Sequence, residues 1–305
     1  MKILLLSDTH GQIDRITELA GTTDAGLCIH AGDFGFYDAD SISALTQREL
    51  YLTVKHSPLP PNVKSGLLKQ SAKEWRKAIK EFSLLGNFPD YLSGKRHFPI
   101  PVYAVWGNHD DVSLAVSLQR KSIQNLHILH EKCCSHVDCF RLFGIGGNCV
   151  VDKNFVQTYR KASNLRCRPA SHLEQYLSLL QTASGIPEDI PRILVTHVSP
   201  LQEPFLELLA WQTEAVLTVS GHMGYHDGKC GVTDPSRIPG LQATFRTLQE
   251  LLPMQSERLE RFRPVKAEHR ITHINLPDAR NGYALLHTNG TDFSIEMRGR
   301  SFDRC

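Results

Sequence analysis

Short apolar runs that stop abruptly at polar, glycine-bearing loops organise this chain. Ile3 to Leu6 is a continuous apolar run of the kind buried on both faces of a sheet. A helical pattern over Gln12 to Ala20 follows, then a second buried run from Gly26 to Ala31 that stops at Gly32-Asp33. Strand, helix and strand joined by short links predict a βαβ unit in a mainly parallel sheet.

Residues 37 to 95 break this rhythm. Asp40 to Val54 and Val63 to Leu85 read as helices, split by Ser57-Pro58-Leu59-Pro60-Pro61. Trp75, Ile79, Phe82 and Leu85 recur at helical spacing with Lys and Arg between them, so the second is amphipathic. The block reads as a helical insertion over one sheet edge. The strand pattern returns at Pro101 to Trp106, Leu126 to Leu129, Phe140 to Ile145, Ile193 to Val195 and Ala215 to Val219. Helices are expected over Ser171 to Thr182 and near Leu241 to Phe262. Three strands should close the chain, at Ile271 to Asn275, Tyr283 to Thr288 and Phe293 to Met297, the last two joined in a hairpin. The expectation is one domain over 1–305, with the insertion at about 37–95 and a C-terminal helix-plus-strands segment at about 240–305.

Composition narrows the class without deciding it. In 305 residues, 41% hydrophobic and 22% charged positions describe a globular chain able to bury a sizeable core. A net charge of +2 gives no argument for an anionic membrane or nucleic acid on its own. Eight scattered cysteines in no repeated CxxC spacing read as reduced thiols. The opening apolar run is too short for a signal sequence and no stretch is long enough to span a bilayer, so a cytoplasmic location and no membrane partner are expected.

The chemistry lies where the strands end. Five of them stop at Asp8-Thr9-His10, Gly32-Asp33, Gly107-Asn108-His109-Asp110, Thr196-His197 and Gly221-His222. Each piece alone is common: Asp-x-His is usually a solvated loop and Gly-Asp a turn. Together, in order and each at a strand end, they point into one crevice, because ligands bind beyond the carboxyl ends of parallel strands. Imidazole and carboxamide donors suit Mn, Fe, Zn or Ni better than an all-oxygen Mg or Ca site. The glycines before Asp33, Asn108 and His222 are expected to let the backbone turn tightly.

The order DxH, GD, GNHD, H, GH resembles the calcineurin-like metallophosphoesterase superfamily and spans Asp8 to His222. The resemblance implies an α/β sandwich: two central mixed β-sheets flanked by helices. It implies two divalent metal ions and a phosphoester substrate. Asp8 and His10 would hold the first ion, Asp33 would bridge, and Asn108, His197 and His222 would hold the second. His109 would lie by the scissile phosphate as a catalytic group, with Asp110 steadying it. Two cations roughly 3.5–4 Å apart can activate a water and neutralise phosphoryl charge.

One position departs from the family pattern. The last motif should read GHxH, but here it is Gly221-His222-Met223-Gly224. His226 reaching back, a water in place of the ligand, or a single firm metal are the alternatives. The second motif continues Phe34-Gly35-Phe36-Tyr37-Asp38 and lacks the GDxxDRG of protein phosphatases. In layout it loosely resembles RNA lariat-debranching enzymes. The reading is therefore a phosphodiesterase acting on a nucleotide or nucleic acid. Its alternative is a non-catalytic or weakly active binding protein whose first metal site is weakened at Gly224. Arg258, Arg261, Arg263, Lys266 and Arg270 form a basic stretch that is either a solvated helix face or a phosphate-backbone contact.

Overall fold

A computed structural model describes residues 1–118, 123–131, 134–137, 139–149, 170–171, 173–187, 189–222, 229–251, 269–289 and 292–299. Two six-stranded mixed sheets carry the fold. The first has the order β14-β13-β1-β2-β3-β4, built from Phe293–Gly299, Gly282–Thr288, Lys2–Leu6, Leu27–Ala31, Val102–Val105 and Leu126–Ile128. The second has the order β11-β12-β10-β9-β6-β5, built from Lys229–Thr233, Ile271–Asn275, Leu217–Ser220, Arg192–Thr196, Phe140–Ile145 and Ser135–Val137. A short parallel pair, β7 (Asn148–Cys149) and β8 (Ala170–Ser171), stands apart.

Each sheet has a parallel centre and antiparallel edges. β1 pairs parallel with β2, β2 with β3, and β3 with β4, while β13 and β14 are added antiparallel. In the second sheet β6, β9, β10 and β12 run parallel, with β5 and β11 antiparallel at the edges. The expectation of a mainly parallel sheet therefore holds only for the centres. The expected hairpin closes the first sheet, with Thr288 opposite Phe293.

The inner faces meet in one core. Ile3, Leu5, Ile29, Ala31 and Val105 from the first sheet pack with Ile193, Val195, Leu217, Val219 and Ile274 from the second. Alternate residues face outward. Leu4 and Leu6 pack under helix α1 (Asp14–Thr23), through Ile16 and Leu19. Burial on both faces explains why β1 and β2 read as continuous apolar runs rather than alternating ones.

The insertion between β2 and β3 is a set of short helices: α2 (Ala39–Ala44), α3 (Gln47–His56), α4 (Pro61–Leu67), α5 (Ala72–Glu81) and α6 (Phe88–Leu92). The helix expected over Asp40 to Val54 breaks at Leu45, because Thr46 starts a new one. Its hydroxyl accepts from the Glu49 N–H and the Glu49 carboxylate accepts from the Thr46 N–H. The second expected helix divides likewise, into α4 and α5. Tyr37, Leu45, Leu50, Val54, Trp75 and Ile79 give the insertion a core of its own.

Helices α7 (Val112–Leu118), α8 (Leu173–Ser184), α9 (Pro204–Gln212) and α10 (Ile238–Leu251), with a 3-10 turn at Pro235–Arg237, complete the described elements. Residues 252–262 of the helix expected near Leu241 to Phe262, and all of the basic stretch but Arg270, lie outside the described residues. Among the described residues no helix is long and apolar enough to cross a membrane.

Candidate metal centre

The five candidate loops come from both sheets. Asp8, Asp33 and Asn108 follow β1, β2 and β3, whereas His197 and His222 follow β9 and β10. The site therefore lies where the carboxyl ends of two parallel centres converge. Backbone bonds stitch the loops together: the Asp8 N–H donates to the Gly32 carbonyl at 3.0 Å, and the His10 N–H to the Asp33 carbonyl at 2.8 Å. The Gly221 N–H donates to the His197 carbonyl at 2.9 Å.

Asp8, Asp33 and His197 form the tight group. One ligand atom from each lies within 4.8 Å of the others, and all three side chains are buried. Oδ1 of Asp33 accepts the His109 N–H at 2.8 Å and is 3.6 Å from Nε2 of His197. Oδ2 of Asp8 accepts from the Ser7 hydroxyl at 2.5 Å and from the His222 N–H at 3.0 Å. Asn108 and His222 join this group through His197, whose Nε2 is 2.8 Å from Oδ1 of Asn108 and 3.0 Å from Nδ1 of His222. His10 and His109 stand on the exposed rim, with ring centroids 5.7 Å apart and nearly perpendicular.

The His197 ring shows what the centre lacks. Nδ1 lies 2.9 Å from the Ala31 carbonyl, which can only accept, so this nitrogen carries the proton. In the neutral ring Nε2 is then a bare lone pair. It faces the Asn108 and Asp33 oxygens, which are acceptors as well. Electron-rich atoms converging on one point, with the far side of the histidine fixed by a carbonyl, form the arrangement of a metal-binding histidine. The donor set thus fits a divalent cation.

Electrostatics agrees. Burial, followed by the neighbouring Asp8 charge, outweighs His197 and His10 and lifts the Asp33 carboxyl to about 6. His197 is desolvated too, which opposes its charged form, yet Asp33 and Asp8 pull its pKa above the ordinary value. His222 is held neutral, down to about 4, by burial and by His197. The buried Asp33 carboxylate is thus short of positive charge.

Strain is concentrated at the same loops. Asp8, His10, Asp33 and His222 all hold positive φ, at 55°, 46°, 49° and 74°, a conformation that side-chain-bearing residues adopt at a cost of about 1–3 kcal/mol each. Of the three glycines expected to turn the backbone, Gly32 does so, at φ 92°. Gly107 and Gly221 have a different reason. A Cβ on Gly107 would stand 2.0 Å from Oδ1 of Asp33, and one on Gly221 would stand 1.7 Å from the Ser7 hydroxyl. They are glycine so that two loops can touch.

Asp110 sits below the rim, fully buried. Its carboxylate accepts four backbone N–H groups, from Phe34, Gly35, Phe36 and Gly107, at 2.6–3.0 Å. It clamps the loop after β2 to the loop after β3. The Tyr37 hydroxyl adds a bond to the His109 carbonyl. Gly224 and His226, on which the status of the first metal turns, lie outside the described residues.

Comparison with known proteins decides the family. The chain matches the calcineurin-like phosphoesterase family over residues 1–226. It belongs to that family. The two-sheet sandwich described above is the metallophosphoesterase fold, in a family of phosphoester hydrolases that use divalent metals. No curated protein matches the chain in sequence. Among solved structures, one described as a novel archaeal phosphodiesterase aligns with a TM-score of 0.34 at 12% identity, covering 98% of this chain and 100% of that one. A predicted phosphoesterase from Streptococcus pneumoniae TIGR4 aligns with a TM-score of 0.33 at 10% identity, covering 98% and 88%. Another solved chain reaches 0.44 at 11% identity, covering 97% and 98%.

Sequence reasoning missed one feature beside this calcineurin-like centre. On the loop after β12, Asp278 holds Arg280 by a two-pronged ion pair at 2.9 and 2.5 Å. The same loop docks on the first motif, where the Ala279 N–H donates to the Ser7 carbonyl at 3.0 Å. The Asp8 charge is felt by Arg280 and helps keep it protonated, after the Asp278 pairing. No spacing signal announces Arg280, because its neighbourhood is created by the β12–β13 connection returning to β1.

Proposed function

We propose that this chain is a metal-dependent phosphodiesterase working on one or two divalent cations of the Mn, Fe, Zn or Ni type. The observation that carries the reading is the bare Nε2 of His197, facing the oxygens of Asn108 and Asp33 with its other nitrogen tied to Ala31. In a two-cation form, Asp33, Asn108, His197 and His222 would hold one ion, while Asp8, His10 and Asp33 would hold the other. Bound cations would neutralise phosphoryl oxygens and make a water a better nucleophile near neutral pH.

The residues of the chain do the rest. Asp33 anchors the loop after β3 through the His109 N–H, and Tyr37 fixes the neighbouring carbonyl, so the His109 imidazole starts from a set position. From the rim it donates a proton to the leaving-group oxygen of the ester. Arg280, already ordered by Asp278, offers a guanidinium to a phosphoryl oxygen without the entropy cost of fixing a free side chain. The diester preference rests on Phe34-Gly35-Phe36 following Asp33 in place of the protein-phosphatase motif.

Hydrolysis of bis-p-nitrophenyl phosphate by Mn-loaded protein is the test. Turnover abolished by a chelator and restored by Mn supports the proposal. A second reading, a binding protein with little turnover, is favoured by Gly224 alone. Firm metal binding without hydrolysis of either a diester or a monoester would select it.

A further inference from the structure

One more histidine is buried beside the centre. His30 lies in β2, three residues before Asp33, and is fully inaccessible. It shares the outer face of the first sheet with Cys28, which packs in the core under α1. Its Nε2 is 3.0 Å from the Thr9 hydroxyl, and that hydroxyl donates to the Phe34 carbonyl at 2.9 Å. A hydroxyl has one proton and a carbonyl only accepts, so both bonds are made only if Thr9 accepts from His30. Nε2 therefore carries a proton. Burial, then the neighbouring His197 and His10, lowers the His30 pKa to about 3, so the ring is neutral and has no second proton. Nδ1 is left bare and buried, with no hydrogen-bond partner among the described residues.

Packing alone does not account for an imidazole here. An apolar side chain would fill the place without stranding a nitrogen, and a buried acceptor with no partner costs stability. What the histidine supplies is a donor aimed at Thr9. The Phe34 ring, edge-on to the imidazole with centroids 4.8 Å apart, helps fix that aim.

Thr9 is buried between Asp8 and His10, and both neighbours hold positive φ, at 55° and 46°. Residues with side chains keep that conformation only where their surroundings impose it. The Asp8, His10 and Gly11 N–H groups donate to the carbonyls of Gly32, Asp33 and Phe34, which lays the first motif along the second. Thr9 adds a side-chain bond to this seam, and His30 holds Thr9.

We propose that His30 is a positioning residue: through Thr9 it fixes the strained turn that presents Asp8 and His10 to a cation. The proposal rests on the reading of Asp8 and His10 as cation ligands for its consequence, and on the hydrogen bonds alone for the turn.

Two measurements on the chelator-stripped full chain test it. In His30→Leu, the Asp8, His10 and Gly11 amides should exchange with solvent at least about fivefold faster by NMR, relative to those of Val216 and Thr272, which bond within the second sheet. Affinity for Mn, by titration calorimetry, should be at least about tenfold weaker. His30→Gln, whose amide nitrogen can replace Nε2 as donor, should bring both to within about threefold of wild type. Thr9→Val keeps the shape of Thr9 and removes the hydroxyl. It should reproduce His30→Leu, and the double variant should be no worse than either alone. Unchanged local exchange and Mn affinity in His30→Leu and Thr9→Val would overturn the proposal, whatever their stability. So would equal losses in His30→Gln and His30→Leu. Faster local exchange in a protein whose wild type binds no Mn removes the cation reading and leaves the positioning of the turn standing.

Discussion

Nε2 of His197 lies 2.8 Å from Oδ1 of Asn108, while Nδ1 of the same ring is tied to the Ala31 carbonyl. A lone pair and an amide oxygen meet at hydrogen-bond distance, with the ring's one neutral-state proton on the other side. The pairing is favourable when a cation sits between the two atoms, or when a second proton on the ring lets Nε2 donate, and the buried Asp33 carboxylate beside it favours either positive charge.

Asp110 ties together the loops that carry the centre. Replacing Asp110 by Asn turns an acceptor for four N–H groups into a mixed group and should cost about 3 kcal/mol of stability. Urea denaturation measures this, and the loss should persist in the presence of a chelator.

Gly221→Ala should be among the most damaging small substitutions. Its methyl would collide with the Ser7 hydroxyl and press on Oδ2 of Asp8, costing at least about 2 kcal/mol and weakening metal affinity. Gly66→Ala, in α4 with open space around it, should instead raise stability by up to about 1 kcal/mol. Equal effects of the two would contradict the close-approach account.

His109→Ala should separate binding from chemistry. We expect kcat to fall by about 10²–10⁴ on substrates with poor leaving groups, and by less on p-nitrophenyl esters, which need little protonation. Metal content, measured by mass spectrometry, should stay at the wild-type level.

Remote from the site, His273 makes stability depend on pH. It is fully buried in β12 between Thr218 and Thr233, and burial lowers its pKa to about 4. The unfolded chain therefore binds a proton below about 6.5 that the folded chain refuses. This contribution is complete above that pH and is lost as pH falls toward 4. Between pH 7 and pH 5 wild type should lose about 2 kcal/mol more than His273→Gln.

The central strands were legible because β1, β2, β9 and β10 are buried on both faces, which leaves unbroken apolar runs ending at polar loops. The short edge strands β5 and β11 were not, since three to five half-exposed residues carry too little pattern. Nor was the split at Leu45-Thr46, where a capping box outweighs a continuous helical period. Residue types at strand ends announced the candidate ligands. Three of the four amides held by Asp110, and the approach of the Arg280 loop to Ser7, depend on contacts some 75 and 270 residues apart, which no local spacing records.

The central claim is that Asp8, Asp33 and His197 form a cation site. Titration calorimetry of chelator-stripped protein with Mn tests it most directly, comparing wild type with Asp33→Asn. The account predicts saturable binding by wild type, and affinity at least about tenfold weaker in the variant. Equal affinity in the two, or no binding by wild type, would contradict it.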